Sequence, residues 1–162
     1  MLFRSRDLGP AISPFNAFLI LTGIETLPLR MQKHCENAKA VAEFLSTHPA
    51  VASVNYSGLA SNPYNNLARK YAPKGAGAVF TFSLKGGYDA GVSLVSNLKL
   101  FSHLANVGDT RSLVIHPAST THSQLDDAAK VKSGAAPDVV RLSIGIEDKE
   151  DLIADLEQAL TA

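Results

Sequence analysis

Val140–Glu147 reads VRLSIGIE and predicts a half-buried β-strand, because apolar and polar side chains alternate along it. Val140, Leu142 and Ile144 are expected to face a core, which leaves Arg141 on the opposite face. Burying an Arg at the centre of a strand is costly without a partner, and its planar guanidinium suits bidentate binding of a carboxylate or phosphate. Two ordinary alternatives are a solvated surface Arg and a structural ion pair with Asp or Glu.

A second tract, Phe101–His122 (FSHLANVGDTRSLVIHPASTTH), groups polar side chains around a glycine and a proline turn. Its apolar run Leu113–Ile115 ends at a His-Pro pair and predicts a buried strand that leads into a turn. Asn106–Asp109 predicts a turn whose backbone N–H groups and Asn side chain are available to a ligand. Together with Arg141, this tract indicates half of an anion-binding site.

The histidines and hydroxyls at the end of this tract also have ordinary explanations. Histidines such as His116 and His122 are more often satisfied surface or core residues than catalytic ones. Ser119, Thr120 and Thr121 are explained as well by capping of a helix that begins near residue 124.

The composition is that of one soluble domain with its own core. The chain has 162 residues, of which 46% are hydrophobic, and its 15 basic and 15 acidic residues give no net charge, which argues against binding to nucleic acid. The single cysteine, Cys35, excludes an internal disulfide and predicts a reducing, cytoplasmic location. No Cys/His spacing predicts a metal site. The longest apolar run, Phe15–Ile24, is too short to span a bilayer, so no membrane association is expected.

The periodicity predicts an α+β fold in which helices cover one side of a sheet. A helix begins at Ser13-Pro14, is broken or kinked at Gly23 and Pro28, and stops before Pro49. Three further helices are expected near residues 64–71, after 86–87 and at 148–160. The predicted strands are Val51–Tyr56, Ala78–Leu84, Leu100–Ala105, Leu113–Ile115 and Val139–Ile144.

In combination, LANVGDTRSLVIHPASTTH (104–122) and VRLSIGIED (140–148) closely resemble the C-terminal domain of the Cys/Met-metabolism enzymes that depend on pyridoxal phosphate. SPFNAFLILTGIETLPLRMQKHCENA (13–38) and PKGAGAVFTFSLKGG (73–87) are similar to the linker helix and the first strand region of that domain. The resemblance runs from about Arg6 to Leu160. Asn106, where many lyases of the family have Ser, makes the chain most similar to the O-acetylhomoserine sulfhydrylase branch.

This resemblance implies roles for four residues. Arg141 matches the Arg that holds the α-carboxylate of the amino-acid substrate, and Asn106 matches a position that meets the same carboxylate. Val107 is expected to line the same wall. Thr121 matches a hydroxyl residue near the substrate side chain.

The resemblance also implies that most of the active site lies in a large N-terminal domain. That domain carries the cofactor lysine, the tyrosine that stacks on the ring, the Asp at the pyridine nitrogen and the phosphate-binding loop, and none of their motifs is found in this sequence. Residues 1–12 are therefore interpreted as a linker remnant and 13–162 as the C-terminal domain of a fold-type I enzyme that binds the substrate carboxylate. The fragment alone is expected to bind no pyridoxal phosphate and to be inactive.

The intact enzyme implied by the resemblance converts O-acetylhomoserine and sulfide, or methanethiol, into homocysteine, or methionine, and acetate by γ-replacement. Its implied partners are the missing N-terminal domain and further copies of the enzyme, in a tetramer built from dimers. Two alternatives remain open. One is the same domain of a related cystathionine or methionine γ-lyase, and the other is a freestanding module that binds an amino acid for regulation.

Overall fold

A computed structural model describes residue 9 and residues 11–162 of the chain. The chain divides into two compact units, Met1–Arg30 and Met31–Ala162. Most of the predicted linker at residues 1–12 lies outside the described residues.

The first unit contains helix α1 (Pro14–Glu25), which begins where the sequence predicts. The Ser13 hydroxyl accepts the N–H of Asn16 at 3.1 Å, and a proline at the first helical position has no N–H that needs a partner. The next helix, α2 (Leu27–Thr47), follows after a turn at Thr26.

The predicted break in this helical segment is confirmed, but neither residue expected to cause it lies at the break. Gly23 lies within α1 and Pro28 lies in the first turn of α2. A proline is tolerated there because the first N–H groups of a helix have no acceptor within the helix.

The apolar side chains of α1 are exposed. None of its residues is buried, and Phe15, Phe18 and Leu21 are 68%, 63% and 61% exposed. An apolar surface of this kind favours association, because burying it removes hydrocarbon from water. Among the described residues, no helix combines the length and the apolar character that a membrane crossing requires.

We expect the chain by itself to self-associate, or to exchange its N-terminal segment between copies. Sedimentation at increasing concentration should give a mass above the 17.2 kDa of one chain. Replacing both Phe15 and Phe18 by Ser should shift the population towards monomer. Replacing Tyr71, which is 73% exposed elsewhere on the surface, by Ser is the control and should not. A strictly monomeric species at high concentration would contradict this expectation.

The second unit is built on a five-stranded, mostly antiparallel sheet. Its strands are β1 (Val51–Asn55), β2 (Val79–Leu84), β3 (Ser102–His103), β4 (Leu113–Ile115) and β5 (Val139–Ser143). Their spatial order is β1-β2-β5-β4-β3, and only the β3–β4 pair is parallel. The strand order places β5 at the centre of the sheet.

Further helices and one short turn connect these strands. They are α3 (Asn65–Tyr71), α4 (Gly87–Asn97), a 3-10 turn (Pro117–Ser119), α5 (Asp127–Lys132) and α6 (Lys149–Leu160).

The core lies between one face of the sheet and the helices, as the alternation in β5 predicts. Val140, Leu142 and Ile144 are fully buried. Side chains of α2, α4 and α6 pack in the same core. The predicted α+β architecture, with helices on one side of the sheet, is therefore confirmed. The apolar helix residues with the least exposure are Ala38, Val41, Ala42, Leu45, Leu94, Leu152 and Leu156.

The strand predicted at Leu100–Ala105 is much shorter than expected, because a side chain takes the hydrogen bonds that a longer strand would need. Asp155 of α6 is 8% exposed. Its carboxylate accepts the backbone N–H groups of Lys99 at 3.0 Å and Leu100 at 2.8 Å. The strand therefore begins only at Ser102, and it ends at His103 because the N–H of Leu104 donates to the carbonyl of Ser102 at 3.0 Å rather than to a neighbouring strand.

The helix expected near residue 124 begins later and has a different cap. α5 begins at Asp127, and the Asp126 carboxylate accepts the N–H of Ala129 at 2.8 Å. The hydroxyl residues at 119–121 therefore do not cap it.

Candidate functional site

Arg141 lies on the sheet face opposite the core. Its register partners are Thr81 of β2 and Ile115 of β4, and its side chain is half-buried. Within residues 9 and 11–162, no Asp or Glu forms an ion pair with it. The structural ion pair considered as an alternative is thus not found in the described part of the chain, and the guanidinium keeps donors for an external anion.

The segment that connects β3 to β4, residues 104–111, brings Asn106 to Arg141. Arg141 Nη2 donates a hydrogen bond to the backbone carbonyl of Asn106 at 3.4 Å. The Asn106 side chain turns back into its own loop, where Oδ1 accepts the N–H of Val107 at 2.8 Å. The two residues are therefore neighbours, but it is the carbonyl of Asn106 that meets the guanidinium. We call this segment the 104–111 loop.

The turn in the 104–111 loop depends on a glycine and a carboxylate. Gly108 has a φ of +75°, a conformation that favours glycine. Asp109 Oδ1 accepts the N–H of Arg111 at 3.1 Å and lies 3.5 Å from its Nε. These hydrogen bonds, the backbone one first, lower the pKa of Asp109 below its ordinary value. The stabilisation is therefore present above the ordinary Asp pKa and is lost as the pH falls through the lowered one.

Two other predicted site residues are exposed. Val107 is 70% exposed at the tip of the loop. Thr121 is also exposed, and its Oγ1 lies 2.8 Å from Nδ1 of His122. Among the described residues, no hydrogen bond joins Thr121 to Arg141 or Asn106. The contacts therefore bring Asn106 to Arg141 and do not bring Thr121 to either.

His116 has a structural position. It is 1% exposed, its Nε2 lies 2.7 Å from the carbonyl of Pro137, and its Nδ1 lies 2.9 Å from the hydroxyl of Ser119. Because a carbonyl only accepts, Nε2 carries the proton and donates. The ring packs edge-on against Tyr88 at 5.0 Å between centroids and fills the space beside Gly91. The imidazole therefore connects the turn after β4 to helix α4, through Tyr88 and Gly91, and to the residues just before β5, through Pro137.

A hydrogen-bond network that the sequence analysis missed lies where β5 ends. Glu147 Oε1 accepts the N–H of Ser112 at 2.6 Å, and Oε2 accepts its hydroxyl at 2.8 Å. The same hydroxyl oxygen accepts the N–H of Gly145 at 2.8 Å. All three residues belong to the two tracts singled out in the sequence, but the alternation of apolar residues carries no information about a contact between positions 35 residues apart.

Two side chains of helix α2 also contact the backbone that follows β5. His34 Nδ1 lies 2.6 Å from the carbonyl of Ile144. Asn37 Nδ2 donates to the carbonyls of Gly145 at 3.1 Å and Glu147 at 2.8 Å. His34 and Asn37 are 1% and 0% exposed, so these hydrogen bonds are shielded from water. They stabilise the backbone conformation of the segment that follows β5.

The described residues do not fit pyridoxal phosphate by themselves. A lysine that forms an imine with this cofactor needs an enclosed position with few competing partners. All nine lysines of the chain are exposed or half-buried, and none is hydrogen-bonded to Arg141 or Asn106. The described residues also contain no cluster of three His, Cys, Asp or Glu side chains that could hold a metal ion.

A cleft of about 400 Å³ lies elsewhere in the second unit, and none of the predicted site residues lines it. Its walls include the half-buried Cys35 and the buried Tyr56. The Tyr56 hydroxyl donates to the carbonyl of Gly77 at 2.9 Å, and burial, followed by the nearby thiol, raises its pKa to about 12. Cys35 packs closely against Gly75, since a Cβ at that position would lie 2.6 Å from Sγ. The thiol is therefore packed against Gly75 on one side and borders the cleft on the other.

Comparison with known proteins gives consistent results. A model of the family described as "Cys/Met metabolism PLP-dependent enzyme" matches residues 1–161. An O-acetyl-L-homoserine sulfhydrylase of Thermus thermophilus is 54% identical over 155 residues, which cover 96% of this chain and 37% of that protein. An L-methionine gamma-lyase of Fusobacterium nucleatum is 45% identical over 152 residues, which cover 94% of this chain and 38% of the lyase.

One solved structure has the same fold over nearly the whole chain. It is a crystal structure of a candidate O-acetylhomoserine (thiol)-lyase of Campylobacter jejuni that contains N'-pyridoxyl-lysine-5'-monophosphate. It superimposes with a TM-score of 0.88 at 46% identity and covers 99% of this chain but 39% of its own. The chain therefore spans little more than a third of the length of the relatives that it matches.

Proposed function

Because the chain belongs to the Cys/Met metabolism PLP-dependent enzyme family, we propose that it is the part of a longer sulfhydrylase that binds the α-carboxylate of the amino-acid substrate. The longer enzyme converts O-acetylhomoserine and sulfide, or methanethiol, into homocysteine, or methionine, and acetate. The sulfhydrylase branch is favoured over a lyase by the higher identity, 54% against 45%.

One observation carries the carboxylate assignment. Arg141 is half-buried on the sheet face opposite the core and lies beside Asn106, yet it has no acidic partner among the described residues. A guanidinium in that position keeps a fork of N–H donors that matches a carboxylate. By binding the carboxylate, Arg141 restricts the rotation and translation of the substrate, which lowers the entropic part of the barrier.

The other site residues have supporting roles in this proposal. The carbonyl of Asn106 orients the Arg141 guanidinium, while Val107 at the loop tip forms an apolar wall for the substrate. Thr121 is assigned to the substrate side chain on the resemblance alone.

The remaining groups belong to the rest of the longer protein. Pyridoxal phosphate supplies an electron sink when bound, and its lysine is placed in an N-terminal domain because the described lysines do not fit that role. Homo-oligomer formation and a cytoplasmic location are part of the same proposal.

An assay of the longer protein tests this function. We expect homocysteine from O-acetylhomoserine and sulfide. Rapid release of methanethiol from methionine, without homocysteine formation, would instead indicate the γ-lyase alternative. If the chain is encoded with no cofactor lysine in the same reading frame, the freestanding module becomes the better explanation, and calorimetry with free amino acids would test it.

We also expect the chain alone to form no specific adduct with pyridoxal phosphate. Mixing the two and reducing with borohydride should label several lysines at low occupancy, as exposed amines do. Peptide mapping by mass spectrometry measures the occupancy at each lysine, with the longer protein as the positive control. Stoichiometric labelling of a single lysine in the chain would contradict the assignment of the cofactor site to another domain.

A further inference from the structure

The two ends of the 104–111 loop converge on a single buried residue. At the first end, the N–H of Ser102 donates to the carbonyl of Ser112 at 2.9 Å. At the second end, Ser112 itself follows the loop directly, is 0% exposed and donates its own N–H to Glu147. The position of Ser112 therefore determines the position of both ends of the loop. Because Asn106 lies within the loop, its position depends on Ser112 as well.

We propose that Glu147 is a positioning residue that sets the distance and direction between Asn106 and Arg141 by holding Ser112. This inference rests on the proposed function, since it takes Arg141 as the carboxylate-binding group. Glu147 does not touch the substrate. It acts through Ser112 on the loop and through Gly145 on the strand that carries Arg141.

The chemistry of the contact requires a carboxylate. Glu147 offers two acceptor oxygens, and Ser112 offers two donors, its N–H and its hydroxyl, at 2.6 and 2.8 Å. The hydroxyl oxygen is already occupied as an acceptor by the N–H of Gly145. An amide in place of the carboxylate would present an NH₂ group to a hydroxyl that needs an acceptor, so one buried donor would lose its partner.

The backbone after β5 also contacts the end of the 104–111 loop directly. The N–H of Ile146 donates to the carbonyl of Thr110 at 2.9 Å. Gly145 leaves no room for a side chain, because a Cβ there would lie 2.6 Å from the carbonyl carbon of Arg111 and would overlap the Thr110 carbonyl. The backbone that follows β5 is therefore in direct contact with the end of the loop.

The frame around Glu147 is rigid because α2 holds its other side. Asn37 donates to the carbonyls of Gly145 and Glu147, and His34 lies against the carbonyl of Ile144. These hydrogen bonds fix the backbone of Glu147, so its carboxylate holds Ser112 at a defined position relative to β5.

The test uses the longer enzyme and compares Glu147→Gln and Ser112→Ala with Glu150→Gln. Glu150 is exposed, forms a surface ion pair with Lys149 at 3.6 Å and forms no hydrogen bond with Ser112 among the described residues, so it is a matched control from the same segment. We expect Glu147→Gln to raise the KM for O-acetylhomoserine by about tenfold, the effect of one lost buried hydrogen bond. The KM for sulfide should stay within about twofold, because sulfide has no carboxylate.

Ser112→Ala keeps the N–H contact but leaves one Glu147 oxygen and the N–H of Gly145 without their partner, so it should show the same split with a rise at least as large. In the isolated chain, NMR amide signals of the loop around Asn106 should shift in Glu147→Gln and not in Glu150→Gln. If both network variants leave the KM for O-acetylhomoserine within about twofold, or raise both KM values equally, the positioning role is wrong. If the network variants are impaired in this way but Arg141→Lys is not, the carboxylate assignment fails instead.

Discussion

We expect the replacement of Arg141 by Lys to lower kcat/KM of the longer enzyme for O-acetylhomoserine by about 10²–10⁴-fold. An ammonium keeps the charge, but it is a point charge on a flexible stem and cannot form two parallel hydrogen bonds to a carboxylate. The substrate would remain attracted to the site and would lose its defined orientation. No neighbouring residue in the sheet can replace the guanidinium. The register partners of Arg141 are Thr81 and Ile115, and neither carries a positive charge.

The measurement is steady-state kinetics with O-acetylhomoserine varied at saturating sulfide. Arg69→Lys is the matched control, because Arg69 is exposed on helix α3 and not on the sheet, and should have no measurable effect. Thermal unfolding of both variants excludes a general loss of structure. A catalytic efficiency within about twofold of the wild type for Arg141→Lys would mean that another group binds the carboxylate.

We expect the replacement of Asp155 by Ala to lower the free energy of unfolding of the chain by about 3 kcal/mol. The substitution leaves the backbone N–H groups of Lys99 and Leu100 without their acceptor. The same carboxylate also lies 3.1 Å from the side-chain amide of Gln158, so a second contact of α6 is lost. Few alternative acceptors are available, since Asp155 is 8% exposed.

Urea unfolding followed by circular dichroism measures this effect as a lower midpoint with an unchanged slope. Asp151→Ala, an exposed change on the same helix, is the control. It should cost less than about 1 kcal/mol, the usual value of an acidic residue in the first turn of a helix. An equal loss for the two variants would show that the turn after α4 does not depend on the carboxylate.

The features that sequence predicted well are those encoded by neighbouring residues. The alternation around Arg141 depends only on adjacent positions, and the burial of Val140, Leu142 and Ile144 confirms it. The start of α1 is likewise local, since Ser13 needs only the next few residues to act as a cap.

The features that were missed depend on partners far along the chain. β3 is short because a carboxylate 54 residues from Phe101 accepts N–H groups that a strand would use. The contact between Ser112 and Glu147 depends on the register of β4 against β5, which no local pattern specifies. Asn106 was connected to Arg141 through the resemblance rather than through periodicity, and the roles of Val107 and Thr121 stay predictions.

The closure of the 104–111 loop on Ser112 has a consequence for protein engineering. Both ends of the loop are held at one buried residue. The residues at its tip should therefore be replaceable without a change in the backbone at the two ends. Grafting residues 105–108 from a relative with another substrate preference, while Ser112 and Glu147 are kept, should transplant that preference without redesign of the sheet. Grafts that also replace Ser112 by a residue without a hydroxyl should instead give poorly expressed protein, since they leave Glu147 and the N–H of Gly145 without their partner.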